Sequence, residues 1–211
     1  MNCLHVFDMD GTLLIGSACL EISRAVGAHE QNVAIQDAWT SGELSDSGYW
    51  ENCLPLWDGL SEQQIDKAFA DTQWLDGIES VFRNIEARDE HSIVISQSPQ
   101  FFVERLKAWG LGSAFGAKVT PGNATGAEHM ISSEDKLKIT RRRLLELNLN
   151  ENNCVAYGDS NSDLALFENL QHTVAVNAED RIRKLAAATY QGDDLWAAYT
   201  TGRKLLDAQD Q

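Results

Sequence analysis

Positive charge is scarce in this chain. Seventeen lysines and arginines face 32 aspartates and glutamates, for a net charge of −15. Such a surface repels nucleic acid and anionic lipid over most of its area, so neither is expected as a partner. The plain account of the acidity is solubility. The sharper one is that carboxylates hold a divalent cation, and that an anionic substrate must then find local lysine or arginine. Proline is also scarce, with three residues, and only 23% of the chain is charged, which argues against a disordered polymer. No apolar run approaches the about 20 residues of a membrane helix. The N-terminus has no basic segment ahead of an apolar stretch, so no secretory signal is expected. Four cysteines, Cys3, Cys19, Cys53 and Cys154, show neither metal-type nor redox-type spacing. Reduced, mostly buried thiols in a cytoplasmic protein are the expectation.

What is present is a core's worth of apolar residues, 43% of 211, enough for one domain with an insertion. Short apolar runs that read as buried strands recur at Cys3–Phe7 (CLHVF), Ser92–Ser96 (SIVIS), Ala117–Thr120 (AKVT), Cys154–Tyr157 (CVAY) and Thr173–Val176 (TVAV). Helical patterns lie between them. Ile78, Val81, Phe82 and Ile85 share one helix face, as do Phe102, Leu106 and Trp109 after Pro99. Strands alternating with helices predict an α/β, Rossmann-like parallel sheet built from right-handed crossovers. Residues 15–75 break the alternation. They hold helical patterns only: Ala18, Ile22, Ala25 and Val26; Tyr49, Trp50, Cys53, Leu54 and Trp57; then Ile65, Ala68 and Phe69. This stretch is expected to form a helical cap over the C-terminal edge of the sheet, with residues 1–14 and 76–211 as the catalytic core. The final LLDAQDQ reads as a frayed tail.

Open α/β sheets bind ligands at the carboxyl ends of their strands. The first run is followed by Asp8, Asp10, Gly11 and Thr12, the second by Ser96, Gln97 and Ser98, and the fourth by Gly158-Asp159-Ser160-Asn161-Ser162-Asp163. Lys136 opens a long helix between the third and fourth runs, where the macrodipole disfavours a cation. Taken singly these are ordinary residues: a loop carboxylate pair, a strand-end hydroxyl, a solvated lysine, helix-capping aspartates. Together they place a nucleophile, acids, a hydroxyl and a cation around one crevice. Phosphate monoesters need rate gains of up to about 10²¹-fold. A carboxylate nucleophile divides the reaction into two steps through an aspartyl-phosphate, and Asp8 is the candidate. A divalent ion must relieve its repulsion with phosphate, and Mg²⁺ suits, held by Asp8 and Asp159, with Asp163 contributing directly or through water. Ser96, backbone N–H groups near Gln97 and Ser98, and Lys136 would hold phosphate oxygens. Ser98-Pro99 also reads as an N-cap and first helical position. His5, His29, His91, His129 and His172 show no ligand spacing. Trp39, Trp50, Trp57 and Trp74 read as cap core, with one or two facing the site.

The residues DMDGT, the serine of IVISQSP, the lysine of SSEDK and the stretch GDSNSD resemble, in order, the four motifs of the haloacid dehalogenase superfamily of phosphohydrolases. The resemblance covers the core to about residue 190, and the insertion is similar to the cap of the phosphoserine-phosphatase-like branch. It implies a phosphatase in which Asp8 is the nucleophile, the Asp10 carbonyl joins the metal shell and the Asp10 side chain is the general acid–base. Thr12 would bond phosphate or fix the loop.

The cap departs from that branch. Ser17 falls near an expected glutamate, and Trp50 or Glu51 near an expected arginine. Between residues 15 and 75 the basic side chains besides His29 are Arg24 and Lys67, against ten acids. A small phosphate ester with a neutral or cationic leaving group is therefore expected in place of phosphoserine. A phosphotransferase or mutase would share every core residue. A phospho-accepting receiver-type domain would carry its aspartate after a middle strand and have no cap. A dehalogenase would have no use for Asp10 as an acid. Monomer and homodimer are both compatible with the sequence.

Overall fold

The computed structural model describes residues 2–124 and 130–208. Among them, β1 (Leu4–Phe7), β2 (His91–Pro99), β3 (Ser113–Ala117), β4 (Cys154–Gly158), β5 (His172–Val176) and β6 (Ala188–Tyr190) form one sheet in the order β3-β2-β1-β4-β5-β6. Every neighbouring pair is parallel. The chain is thus an α/β, Rossmann-like protein. β1 lies at the centre, with Leu4 opposite both His91 and Cys154, and Phe7 opposite both Val94 and Tyr157. That register brings the segments after β1 and β4 side by side.

Alternation along the strands feeds two cores. Leu4, Val6, Ile93, Ile95, Cys154 and Ala156 face one way, toward α7 (Ser133–Glu146) and α8 (Leu164–Asn169). Phe7, Val94, Val155 and Tyr157 face the other, toward α5 (Ile78–Ala87) and α10 (Leu195–Asp207). Phe7 stacks on Tyr157 at 4.4 Å between ring centroids. Two short helices complete the core, α6 (Gln100–Val103) and α9 (Asp180–Leu185). The insertion carries α1 (Ala18–Ala25), α2 (His29–Thr40), α3 (Asp46–Cys53), a 3₁₀ turn at Leu54–Trp57 and α4 (Glu62–Asp71). Its two connections run side by side: Ile15 N–H donates to the Gln73 carbonyl, and Leu75 N–H to that of Leu13. No helix among the described residues is long and apolar enough to cross a membrane.

Several expectations need correcting. The third strand is not Ala117–Thr120 but Ser113–Ala117. Its sequence, SAFGA, carries little apolar signal because it packs by close approach. A Cβ on Gly116 would lie 2.7 Å from the Ser98 carbonyl oxygen. β6 is a three-residue edge strand with no apolar run to announce it. The stretch after Pro99 is a four-residue helix followed by a 3₁₀ segment, Glu104–Trp109, though Phe102 and Leu106 still point inward. Ser98 does not cap it. β2 runs through Pro99, and the Ser98 hydroxyl donates instead to a carboxylate, the stronger acceptor. The tail is helical through Asp207, with Leu206 buried in the core; residues 209–211 lie outside the described residues. All four cysteines are free and buried, and burial pushes each thiol well up from its ordinary value.

Candidate active site

The residues after β1 and β4 meet at the carboxyl edge of the sheet. Asp8 is almost fully buried, and its N–H donates to the Tyr157 carbonyl, which ties the nucleophile candidate to β4. The Ser132 side chain and Asp135 form a reciprocal capping box that sets the start of α7. One residue later Lys136 turns inward and is fully buried. Its ammonium donates to Asp8 Oδ1 at 2.7 Å, Asp163 Oδ1 at 2.7 Å and Ser162 Oγ at 2.9 Å. These acceptors match its three hydrogens. The other oxygen of Asp163 accepts from the Asp159 N–H at 3.1 Å. Thr12 is fully buried and its hydroxyl reaches Asp159 Oδ1 at 3.3 Å. In this arrangement it fixes the loop against Asp159.

Gly11 has φ +79° and packs against the Asp159 carboxylate so closely that a Cβ would overlap it. That is why a glycine follows Asp10. Oxygens of Asp8, Asp159 and Asp163 lie within 4.8 Å of one another. Burial, Asp8 and Asp163 push the Asp159 carboxyl up to about 9. Burial and Asp8 push Asp163 up to about 6, against the pull of Lys136. Asp8 is also raised by burial, while Lys136 holds it back. Lys136 is raised above its ordinary value: burial opposes its charge, and Asp163 and Asp8 outweigh that.

Asp10 belongs to a second network. Its Oδ1 accepts the Ala18 N–H at 2.6 Å, from the first turn of α1. Its Oδ2 accepts the hydroxyls of Ser96 at 2.9 Å and Ser98 at 2.8 Å. Ser96 is fully buried and its Oγ also receives the Ser98 N–H. The Gln97 amide donates to the Ile131 carbonyl at 3.0 Å. Asp8, Asp10, Gly11, Gln97, Ser98 and Asp159 line one crevice of about 280 Å³. Its opposite wall comes from the insertion and includes Ser17, Gln36, Trp39, Tyr49 and Trp50. Of the four tryptophans of the insertion, Trp39 and Trp50 line the crevice and Trp57 and Trp74 do not. No histidine among the described residues lines it; His129 lies outside them. Ser162, Gln36 and Met130 also line the crevice, without an individual role expected of them from the sequence. Ser162 stood inside a conspicuous stretch, whereas Gln36 and Met130 carry no local signal.

The haloacid dehalogenase-like hydrolase family model matches residues 5–168. The chain belongs to that family. A phosphoserine phosphatase of Archaeoglobus fulgidus is 24% identical over 197 residues, a match covering 91% of this chain and 57% of that protein. A phosphoserine phosphatase of Methanocaldococcus jannaschii is also 24% identical, over 91% of this chain and 93% of its own length. A substrate-bound phosphoserine phosphatase complex superposes with a TM-score of 0.78 at 22% identity, over 95% of this chain and 98% of that one. The chain therefore shares its fold with a phosphoserine phosphatase of known structure.

Proposed function

We propose that this hydrolase removes phosphate from a small phosphate monoester through an aspartyl-phosphate on Asp8, with Mg²⁺ as cofactor. The observation that carries the reading is the buried Asp8 carboxylate held at 2.7 Å by the ammonium of Lys136, beside Asp159 and Asp163. The donors are all carboxylate oxygens, which fits a hard cation. Their raised proton affinity marks a cluster short of positive charge. Asp8, Asp159 and the Asp10 carbonyl would hold the ion, with Asp163 acting through water because both its oxygens already accept hydrogen bonds. When bound, Mg²⁺ neutralises the charge shared by phosphate and carboxylates.

In the first step an Asp8 oxygen bonds to phosphorus. The bond from phosphorus to the leaving oxygen breaks, and that oxygen takes the proton of Asp10. In the second step water adds to phosphorus, gives its proton to Asp10, and the bond to Asp8 breaks. Lys136 exchanges its bond to Ser162 for a phosphate oxygen, held together with backbone N–H groups around Gln97. Ser96 adds its hydroxyl, exchanging its present acceptor, Asp10, for phosphate. Ser98 keeps Asp10 in place, and the Ala18 N–H couples that acid to the insertion.

The relatives are named phosphoserine phosphatases, but the leaving group here is read as neutral or cationic. No lysine or arginine lines the insertion side of the crevice. Arg24 is exposed and bound to Glu21, and Lys67 is exposed and bound to Asp71. Phosphate release from an ester panel, with and without Mg²⁺ and beside Asp8→Asn, tests the chemistry. Turnover that needs Mg²⁺ and vanishes in the variant is expected. Turnover retained by Asp8→Asn ends the assignment.

A further inference from the structure

The wall that the insertion contributes to the crevice is uncharged. It consists of Gly16, Ser17, Cys19, Gln36, Trp39, Tyr49 and Trp50. The ten acids of residues 15–75 are elsewhere: none lines the crevice, nine are exposed and Glu21 is half-buried. The acidity of this segment is thus an outer, solvated face. The wall offers no countercharge to a carboxylate and none to an ammonium group, and a charge confined there without a partner is costly.

The wall does offer two uncommitted neutral groups. Ser17 stands at the N-cap of α1, yet its hydroxyl makes no capping bond. The Gln36 amide has no partner among the described residues. The Trp50 N–H and the Asn32 side-chain oxygen also lack partners among the described residues but are buried away from solvent, while the neighbouring donors are spent. The Trp39 N–H goes to Asp46 at 2.8 Å, and the Asn32 amide hydrogens go to the Cys19 carbonyl and Ser23 Oγ. Trp39 and Tyr49, 5.3 Å apart, present ring surface beside them. Unspent hydroxyl and amide groups next to aromatic faces suit a ligand with hydroxyls on one side and C–H surface on the other. The crevice volume, at the small end of ligand sites, admits a leaving group of about three to six carbons.

We infer that the leaving group is a neutral sugar or polyol, with Ser17 and Gln36 as the specificity residues that bond its hydroxyls and Trp39 and Tyr49 as the surface it packs on. This rests on the phosphatase reading above and narrows it: the ammonium-bearing alternative is set aside.

The test compares kcat/KM for glucose 6-phosphate, glycerol 3-phosphate, phosphoserine, phosphoethanolamine and acetyl phosphate with Mg²⁺ present. One of the two neutral polyol esters should exceed both charged amino esters by about a hundredfold. Ser17→Ala and Gln36→Ala should each lower the ratio of the better polyol ester to acetyl phosphate by about three- to tenfold. Gln36→Arg should raise phosphoserine turnover about tenfold relative to the polyol ester. Acetyl phosphate, which has almost no leaving group to grip, reports whether each variant is folded and competent. Preference for phosphoserine or phosphoethanolamine, or a ratio that neither alanine variant moves, overturns the inference. If acetyl phosphate is hydrolysed and Asp8→Asn stops it, that failure falls on the leaving group alone. If the wild-type protein releases phosphate from none of the five, the phosphatase reading fails and this one with it.

Discussion

The central strand β1 carries a buried cluster of ionisable groups at each end, and the two are built on opposite plans. At its N-terminal end Glu90 accepts from His5 at 3.2 Å, Arg203 at 2.6 Å and Arg88 at 3.1 Å. Burial works to raise its carboxyl, but these partners outweigh that and hold it at about 2. His5 is lowered by burial, so it sits neutral between Glu90 and the Tyr157 hydroxyl. At the C-terminal end one ammonium, that of Lys136, bonds Asp8 and Asp163, Asp159 lies beside them, and all three carboxyls are raised. Both ends bring three candidate metal-ligand atoms within 4.8 Å: Cys3, His5 and Glu90 at one, the three aspartates at the other. Proximity alone therefore does not distinguish a metal site. Charge balance does, because guanidinium groups already fill the cationic role at the first end while the second remains in deficit. The first end is balanced within the chain, and the second is the one that fits the cation proposed above.

The sharpest way to break this comparison is to remove one carboxylate from each end. Asp8→Asn should abolish turnover, by about 10⁴-fold or more. The metal-free melting temperature should hold or rise, since the variant removes like-charge crowding and leaves Lys136 its bond to Asp163. Glu90→Gln should do the reverse. Removing the charge that faces buried His5 and half-buried Arg203 costs about 3 kcal/mol, read as a lower denaturation midpoint, while kcat/KM per folded molecule stays within about twofold. A Glu90 variant that is stable but inactive would erase the distinction between the two ends.

The two ends also differ in how much of them the sequence disclosed. The carboxylate end is legible as a gathering of polar groups because each buried strand is followed directly by its polar residues: DMDGT after β1, SQS within β2, GDSNSD after β4. The N-terminal end was not. His5 and Glu90 are 85 positions apart, and Arg203 lies 113 beyond Glu90, so no local spacing could pair them. The same limit hid α2, whose apolar positions fall on no clear stripe, and β3, where glycine contacts replace apolar side chains. Ser96 and Ser98 were legible as strand-end hydroxyls but not as donors to Asp10, because that bond depends on where β1 lies beside β2.

Magnesium should sharpen the contrast at one end only. At about a hundredfold over its Kd, Mg²⁺ should add about 3 kcal/mol of stability at pH 8, reversed by EDTA. The gain should be smaller at pH 5, where Asp159 and Asp163 are protonated and the ion must displace those protons. Glu90→Gln should keep this stabilisation and Asp8→Asn should lose most of it. Equal stabilisation of both variants by Mg²⁺ would place the cation away from the aspartates.

The smallest effect is the pH slope of the metal-free protein, and it separates the ends by sign. Glu90 and His5 have folded-state affinities for protons below their unfolded ones, so their contribution is complete above about pH 7.5 and is lost on acidification. The aspartates are the opposite case. Their raised carboxyls contribute most below about pH 4, and that contribution is lost as pH rises, through about 6 for Asp163 and about 9 for Asp159. Between about pH 7.5 and 8.5 the N-terminal end is silent, and Asp159 keeps a proton that the unfolded chain has released. Metal-free stability should therefore fall across that window by about 1 kcal/mol per pH unit, and Mg²⁺ should flatten the slope. A metal-free stability that rises between about pH 7.5 and 8.5 would mean that the carboxylate end carries no deficit of positive charge, which would remove the physical reason for a cation there.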